Sequence, residues 1–151
     1  MKNPGLLFLF ILSFIFSCNS SDPYLKSREI YEQTMNLHDE VMPKMGEVLS
    51  VKHSLKMKLD SVSDPAIKTE IDSAMAELDR TYNSMMRWMA DLQPVPDKKE
   101  GENGNEASAG QKVLSPEEMI KVQEKSLEDI KALKEQMKKS LDSGKELLRT
   151  L

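Results

Sequence analysis

Three segments of this chain repeat their apolar residues every seven positions, and each segment opens on a helix start signal. The signals are Asp22-Pro23, Asp64-Pro65 and Ser115-Pro116, in which a capping side chain precedes a proline at the first helical position. Ser115 and Glu118 also have the spacing of a capping box. Because a seven-residue apolar repeat is typical of helices that pack lengthwise, and no stretch alternates as a strand would, the sequence predicts an all-α fold of three helices.

The apolar rows predict which face of each helix is buried. They are wider than the two positions in seven of a two-stranded coiled coil, and this favours a bundle. In the first segment they are Tyr31, His38, Met45, Lys52 and Leu59 beside Val41, Val48, Leu55 and Val62, widened by Met35, Met42 and Leu49. In the second they are Ile71, Leu78, Met85 and Leu92 with Ala74 and Trp88, and in the third Ile130, Leu133, Met137, Leu141 and Leu147.

The breaks between the rows predict the order and direction of the helices. The rows predict a first helix over about 23–62, which contains Pro43, and a second helix that ends near Leu92. The stretch between them is too short to do more than reverse the chain, so 23–92 is predicted to form an antiparallel hairpin. Residues 93–114 are rich in proline, glycine and charge, which is typical of a disordered linker. A linker of that length spans about 25 Å, whereas the second helix is about 40 Å long. We therefore expect the third helix, 115–151, to lie parallel to the first in an up-down-up three-helix bundle.

Gly144 and Gln123 interrupt the apolar face of the third helix. A glycine contributes no side chain to a core, and a buried amide needs a partner. We therefore expect the third helix to pack more weakly than the hairpin and to be the element that most easily detaches toward a partner.

The first 18 residues resemble a bacterial lipoprotein signal. Lys2 supplies a positive start, 6–16 an apolar run, and Ile15-Phe16-Ser17-Cys18 a cleavage box that ends at the chain's one cysteine. The apolar run has eleven residues, fewer than the roughly 20 that a membrane-spanning helix needs. We expect a signal peptide over 1–17, lipid on Cys18 and a tether over 18–22. The alternative is an ordinary cleaved signal peptide with a coincidental cysteine.

Charge argues against two classes of partner. Cleavage before Cys18 removes one charged residue, Lys2, and leaves 20 basic and 25 acidic residues, a net charge of −5. An acidic chain without a basic cluster is not expected to bind nucleic acid or an anionic lipid surface. Membrane attachment through acyl chains on Cys18 needs neither.

No nucleophile is paired with a base, no phosphate loop occurs, and the chain has only two histidines, His38 and His53. We therefore expect no enzyme and no resident cofactor. If the hairpin reverses near residue 64, one layer brings together soft ligands suited to Cu(I). Methionine packing is the simplest interpretation of this layer, and metal binding or a groove for an apolar partner are its alternatives. The candidate metal ligands are His38, Met42, Met45, Met85, Met86 and Met89, with Trp88 beside them.

Three parts of the chain carry a resemblance to known proteins: the cleavage box at 15–18, the block His38-Asp39-Glu40-Val41-Met42-Pro43-Lys44-Met45 and the stretch Lys121-Val122-Gln123-Glu124-Lys125-Ser126. Together they resemble a group of small uncharacterised lipoproteins of Bacteroidota, some of them labelled viral A-type inclusion protein. The resemblance implies a diderm host and no activity. With Asn19 after the cysteine, it implies the periplasmic face of the outer membrane. The sequence thus predicts a lipid-anchored structural or protein-interaction module of the cell envelope, with a periplasmic copper(I)-binding protein as the alternative.

Overall fold

The computed structural model describes residues 22–96 and 114–151, which form three helices: α1 (Pro23–Leu59), α2 (Pro65–Asp91) and α3 (Pro116–Thr150). No strand occurs within these two ranges. The predicted all-α fold is confirmed. The predicted signal peptide, Cys18 and most of the tether lie outside the described residues, and so does the larger part, 97–113, of the predicted linker.

Each helix starts where its capping signal predicts. The Asp22 and Asp64 carboxylates accept hydrogen bonds from the backbone N–H groups of Tyr24 at 3.0 Å and Ala66 at 2.8 Å. Ser115 and Glu118 form both bonds of a capping box, at 3.2 and 2.9 Å. These bonds satisfy N–H groups that lack a partner inside the helix. α1 continues through Pro43 to Leu59.

Ion pairs between helices establish their directions. Lys26 pairs with Glu124 at 3.3 Å, and Glu40 pairs with Lys134 at 2.7 Å, so residue numbers rise together along α1 and α3. The two helices are therefore parallel. Lys52 pairs with Asp79 at 2.5 Å and His38 stacks on Trp88, so α2 runs antiparallel to α1. The arrangement is the predicted up-down-up bundle.

The core runs along the axis of the bundle and takes residues from all three helices. The fully buried apolar side chains include Leu55 of α1, Ile71, Leu78 and Met85 of α2, and Ile130 of α3. Leu49, which the sequence assigned to the buried stripe of α1, is instead 47 % exposed.

α3 is not the weakly held helix that we expected. The contact between α1 and α3 is the most extensive in the bundle, and the contact between α1 and α2 is the least extensive. Gly144 is buried, and a β-carbon placed on it would lie 2.8 Å from Cγ1 of Val51. The glycine therefore allows α3 to approach α1 closely, where we expected it to weaken the packing.

Candidate functional site

The layer that combines His38 with methionines lies around the middle of α1 and near the end of α2. α1 contributes His38, Met42 and Met45, and α2 contributes Met85, Trp88 and Met89. The sequence analysis placed the reversal of the hairpin near residue 64, and the contact between His38 and Trp88 fits a reversal there. The hairpin therefore brings the imidazole and the indole together as predicted.

His38 and Trp88 make the defining contact of the layer. Their ring centroids are 5.9 Å apart with 26° between the ring planes, a stacked arrangement. The Trp88 indole N–H donates to the Ser126 carbonyl of α3 at 3.2 Å, so the ring contacts all three helices. Nδ1 of His38 lies 2.9 Å from a carboxylate oxygen of Asp39, and the His38 side chain is 18 % exposed. The imidazole thus sits at the edge of the core, with one nitrogen engaged by an acid.

The five methionines of the predicted metal site divide by burial. Met45 and Met85 belong to the buried core, and Met42 and Met89 pack against it. Met86 is 45 % exposed and lies on the outer face of α2. Four of the five thioethers therefore belong to or pack against the core that includes Trp88, and Met86 does not.

Within residues 22–96 and 114–151, no three His, Cys, Asp or Glu side chains cluster closely enough to hold a metal ion. Thioethers fall outside that group of ligands, so the copper hypothesis stays a prediction. The chemistry available in the layer is that of soft, neutral sulfur ligands with one imidazole.

A polar link that was not predicted from the sequence lies beside this layer. The Gln123 side chain is 1 % exposed, and its amide N–H donates to the Gln93 carbonyl at 2.9 Å. The Tyr24 hydroxyl donates to the Pro96 carbonyl at 2.7 Å. Together these bonds hold the chain after α2 against both other helices. Gln123 stands in the same seven-residue row as Ile130 and Met137, and this spacing was the signal that it would be buried.

Two buried side-chain oxygens next to this link, Oε1 of Gln123 and Oγ of Ser126, have no hydrogen-bond partner among residues 22–96 and 114–151. They lie three residues apart on α3, a spacing that puts them on one face of the helix.

A charged groove of about 200 Å³ lies between α1 and α3, with Val41, Met137 and Leu141 among its lining residues. Glu47 accepts bonds from Lys145 at 2.5 Å and Lys44 at 3.2 Å. The two ammonium groups, Lys145 first, hold the pKa of the Glu47 carboxyl below its usual value. The groove is lined by as many acids as lysines, so it presents no electrostatic field of one sign that would attract a charged ligand. Its ion pairs stabilise the contact between α1 and α3.

None of the helices in the described ranges combines the length and the apolar character that crossing a bilayer requires. Comparison of the chain with protein-family models, with curated proteins and with solved structures finds no match.

Proposed function

We propose that the chain is a lipid-anchored helical module of the cell envelope of a diderm bacterium, acting without catalysis as a structural or protein-interaction element. The observation that carries the proposal is the cleavage box at 15–18 with Cys18 at its end, four residues before the cap of α1. A folded bundle that follows a lipidated cysteine this closely is built to stand at a membrane surface. We propose that the protein is located at the periplasmic face of the outer membrane.

The fold indicates how the bundle would be oriented relative to the membrane. Four residues extend at most about 14 Å, so an anchor at Cys18 would keep the start of α1 next to the bilayer. Pro96 lies at the same end, because its carbonyl accepts the bond from Tyr24. The turn between α1 and α2 would then lie about 55 Å farther out, the length of α1. In this arrangement the bundle is a spacer that displays its sides and its far end to other envelope proteins.

Cys18→Ser is expected to abolish lipid attachment. Serine offers no thiol for acylation, so a cell expressing the variant should not incorporate a palmitate analogue into the protein, and the protein should leave the membrane fraction. Ser20→Ala is the matched control, because it changes a neighbouring residue outside the cleavage box and should keep the label. Continued labelling of Cys18→Ser, or an intact leader in the mass spectrum of the mature protein, would contradict the anchor.

Copper(I) binding by the His38 layer is the second candidate. It is supported by the imidazole stacked on Trp88 and by the four thioethers that lie in or against the core, those of Met42, Met45, Met85 and Met89. Soft thioethers with one imidazole favour Cu(I) over harder cations. Ordinary core packing by methionine competes with this function, since methionine fills irregular cores well.

Titration of Cu(I) under reducing conditions separates these two roles of the layer. A bound ion next to the indole is expected to quench Trp88 fluorescence, and His38→Ala should remove the quenching. Met86→Leu is the control, since Met86 lies on the outer face and its loss should leave the titration unchanged. If Cu(I) produces no change in Trp88 emission, the methionines serve packing alone.

A further inference from the structure

The outer face of α2 carries two arginines around an exposed methionine. Arg80, Asn83, Met86, Arg87 and Ala90 line one shallow depression, which we name the arginine face. The five residues recur at intervals of three and four, so they share one side of the helix. All five are exposed to solvent, and Met86 is one of the four large apolar side chains exposed within the described ranges.

The two arginines differ from Arg28 and Arg149 in having no acid partner among the described residues. Arg28 pairs with Glu32 at 3.5 Å, and Arg149 pairs with Glu146 at 2.9 Å. Over 22–96 and 114–151, by contrast, no carboxylate lies within ion-pair distance of Arg80 or Arg87, and Arg87 reaches only the Ser84 hydroxyl, at 3.4 Å. The chain has 25 acidic and 21 basic residues, whereas the stretch 80–90 contains these two arginines and no acidic residue, so it is locally basic.

The spacing of these groups defines what they can hold. Seven residues separate Arg80 from Arg87, which corresponds to about 10 Å along the helix axis. Guanidinium groups bind carboxylates in a fixed two-point geometry, and an exposed methionine adapts to varied apolar side chains. The short side chains of Asn83 and Ala90 leave room for another backbone to come close.

We propose that the arginine face binds an acidic helical segment of a partner protein, with two carboxylates about two turns apart and an apolar side chain between them that packs on Met86. This deepens the proposed interaction module and rests on that part of it, independently of the lipid anchor. The isolated arginine pair matches two localised carboxylates, and the acidic balance of the rest of the chain opposes binding to an extended anionic surface such as a membrane.

The test uses a fluorescein-labelled helical peptide of about 20 residues, with two glutamates seven positions apart and a leucine between them, titrated with the purified full chain in a non-ionic detergent. Fluorescence anisotropy is expected to show binding that weakens as salt is added. The double variant R80Q/R87Q should bind at least about tenfold more weakly, because both charge-assisted contacts are lost. The variant R80K/R87K should fall between the two, since it keeps the charge and loses the two-point geometry.

Two controls decide whether the face itself is responsible. R28Q/R149Q removes the same charge from the paired arginines and should leave the affinity unchanged, and a peptide with glutamine in place of both glutamates should not bind. Equal weakening by R28Q/R149Q, or equal binding of the glutamine peptide, would overturn the proposal.

The chain's own acids at 97–106 are the competing occupant. If E100Q/E102Q/E106Q raised the affinity for the peptide about tenfold, the face would be occupied by this chain, and the proposed partner would be wrong. An unchanged affinity supports a face that is open to a partner. None of these results depends on Cys18, so failure here and failure of the anchor are distinguishable by the labelling experiment.

Discussion

Trp88→Ala is expected to lower the free energy of unfolding by about 3 to 5 kcal/mol, the range for removing a large aromatic side chain from a core. The indole is 7 % exposed, stacks on His38, and bonds through its N–H to the Ser126 carbonyl, so its loss opens a cavity where all three helices meet. Urea denaturation followed by far-ultraviolet circular dichroism measures the change, because Trp88 is the chain's one tryptophan and the variant has no indole fluorescence.

Trp88→Phe and His38→Ala divide this effect into its parts. Phenylalanine keeps a ring and loses the N–H bond, so a loss of about 1 to 2 kcal/mol is expected. His38→Ala removes only the stacked neighbour, which should cost about 1 kcal/mol. Domains of this size are stable by about 5–15 kcal/mol, so the phenylalanine variant still gives a measurable transition if Trp88→Ala does not fold. A loss below about 1 kcal/mol for Trp88→Ala would show that the ring does not hold the layer together.

The architecture of the bundle follows from signals that act locally along the chain. A capping side chain before a proline determines where each helix starts, and the structure has Asp22, Asp64 and Ser115 as the three caps. The reversal after α1 fixes which residues of α1 and α2 face each other, so the contact between His38 and Trp88 could be predicted from numbering alone. The helix starts and the facing residues can therefore be predicted without knowing how tightly the helices pack.

Side-chain exposure was harder to predict, because neighbouring residues of one helix point in different directions. Met85 is fully buried, while Met86, the next residue, is 45 % exposed, although both were assigned to one metal site. Both residues are methionine, so residue type does not explain the difference in exposure. The angle of about 100° between successive residues of a helix explains it, because it turns the Met86 side chain out of the core.

The burial of Ser27 and Thr34 was not predicted, because both residues are polar and precede Val41, the first apolar residue of their row in α1. Ser27 and Thr34 continue the row of Val41, Val48 and Leu55 at intervals of seven, and both are fully buried. Their hydroxyls donate to backbone carbonyls of α1 at 2.8 and 2.9 Å, which removes most of the penalty for burying them. The seven-residue spacing therefore predicts burial better than the polarity of the side chain does.

Gly144 shows why the strength of packing could not be read from residue type. Glycine adds no apolar surface, and this suggested a weak point in α3. A β-carbon at this position would come closer to Val51 than van der Waals contact allows, however, and its absence is what lets the α1 and α3 backbones come together. Whether a glycine weakens or tightens a contact depends on the distance between the helices, a property that the sequence of one helix does not contain.

Gly144→Leu is therefore expected to destabilise the protein by about 1 to 2 kcal/mol. A β-carbon would lie 2.8 Å from Cγ1 of Val51 and 3.5 Å from Cδ1 of Leu78, and leucine adds three further carbons. Overpacking of a core costs about 1 to 3 kcal/mol and at times more, and the gain of about 1 kcal/mol in helix propensity offsets only part of it. Urea denaturation measured by circular dichroism gives the difference from the unmodified chain.

Gly46→Ala is the matched control, because a β-carbon on this exposed glycine of α1 would meet nothing within 4 Å. It should raise the stability by about 0.5 to 1 kcal/mol through helix propensity alone. A double-mutant cycle with Val51→Ala and Gly144→Ala then tests the contact itself. Removing Cγ1 of Val51 makes room for the new β-carbon, so the double variant should be more stable than the two single changes predict in sum, by at least about 0.5 kcal/mol. Strict additivity would show that α3 does not approach α1 at Gly144, and the close parallel contact between these helices would then be wrong.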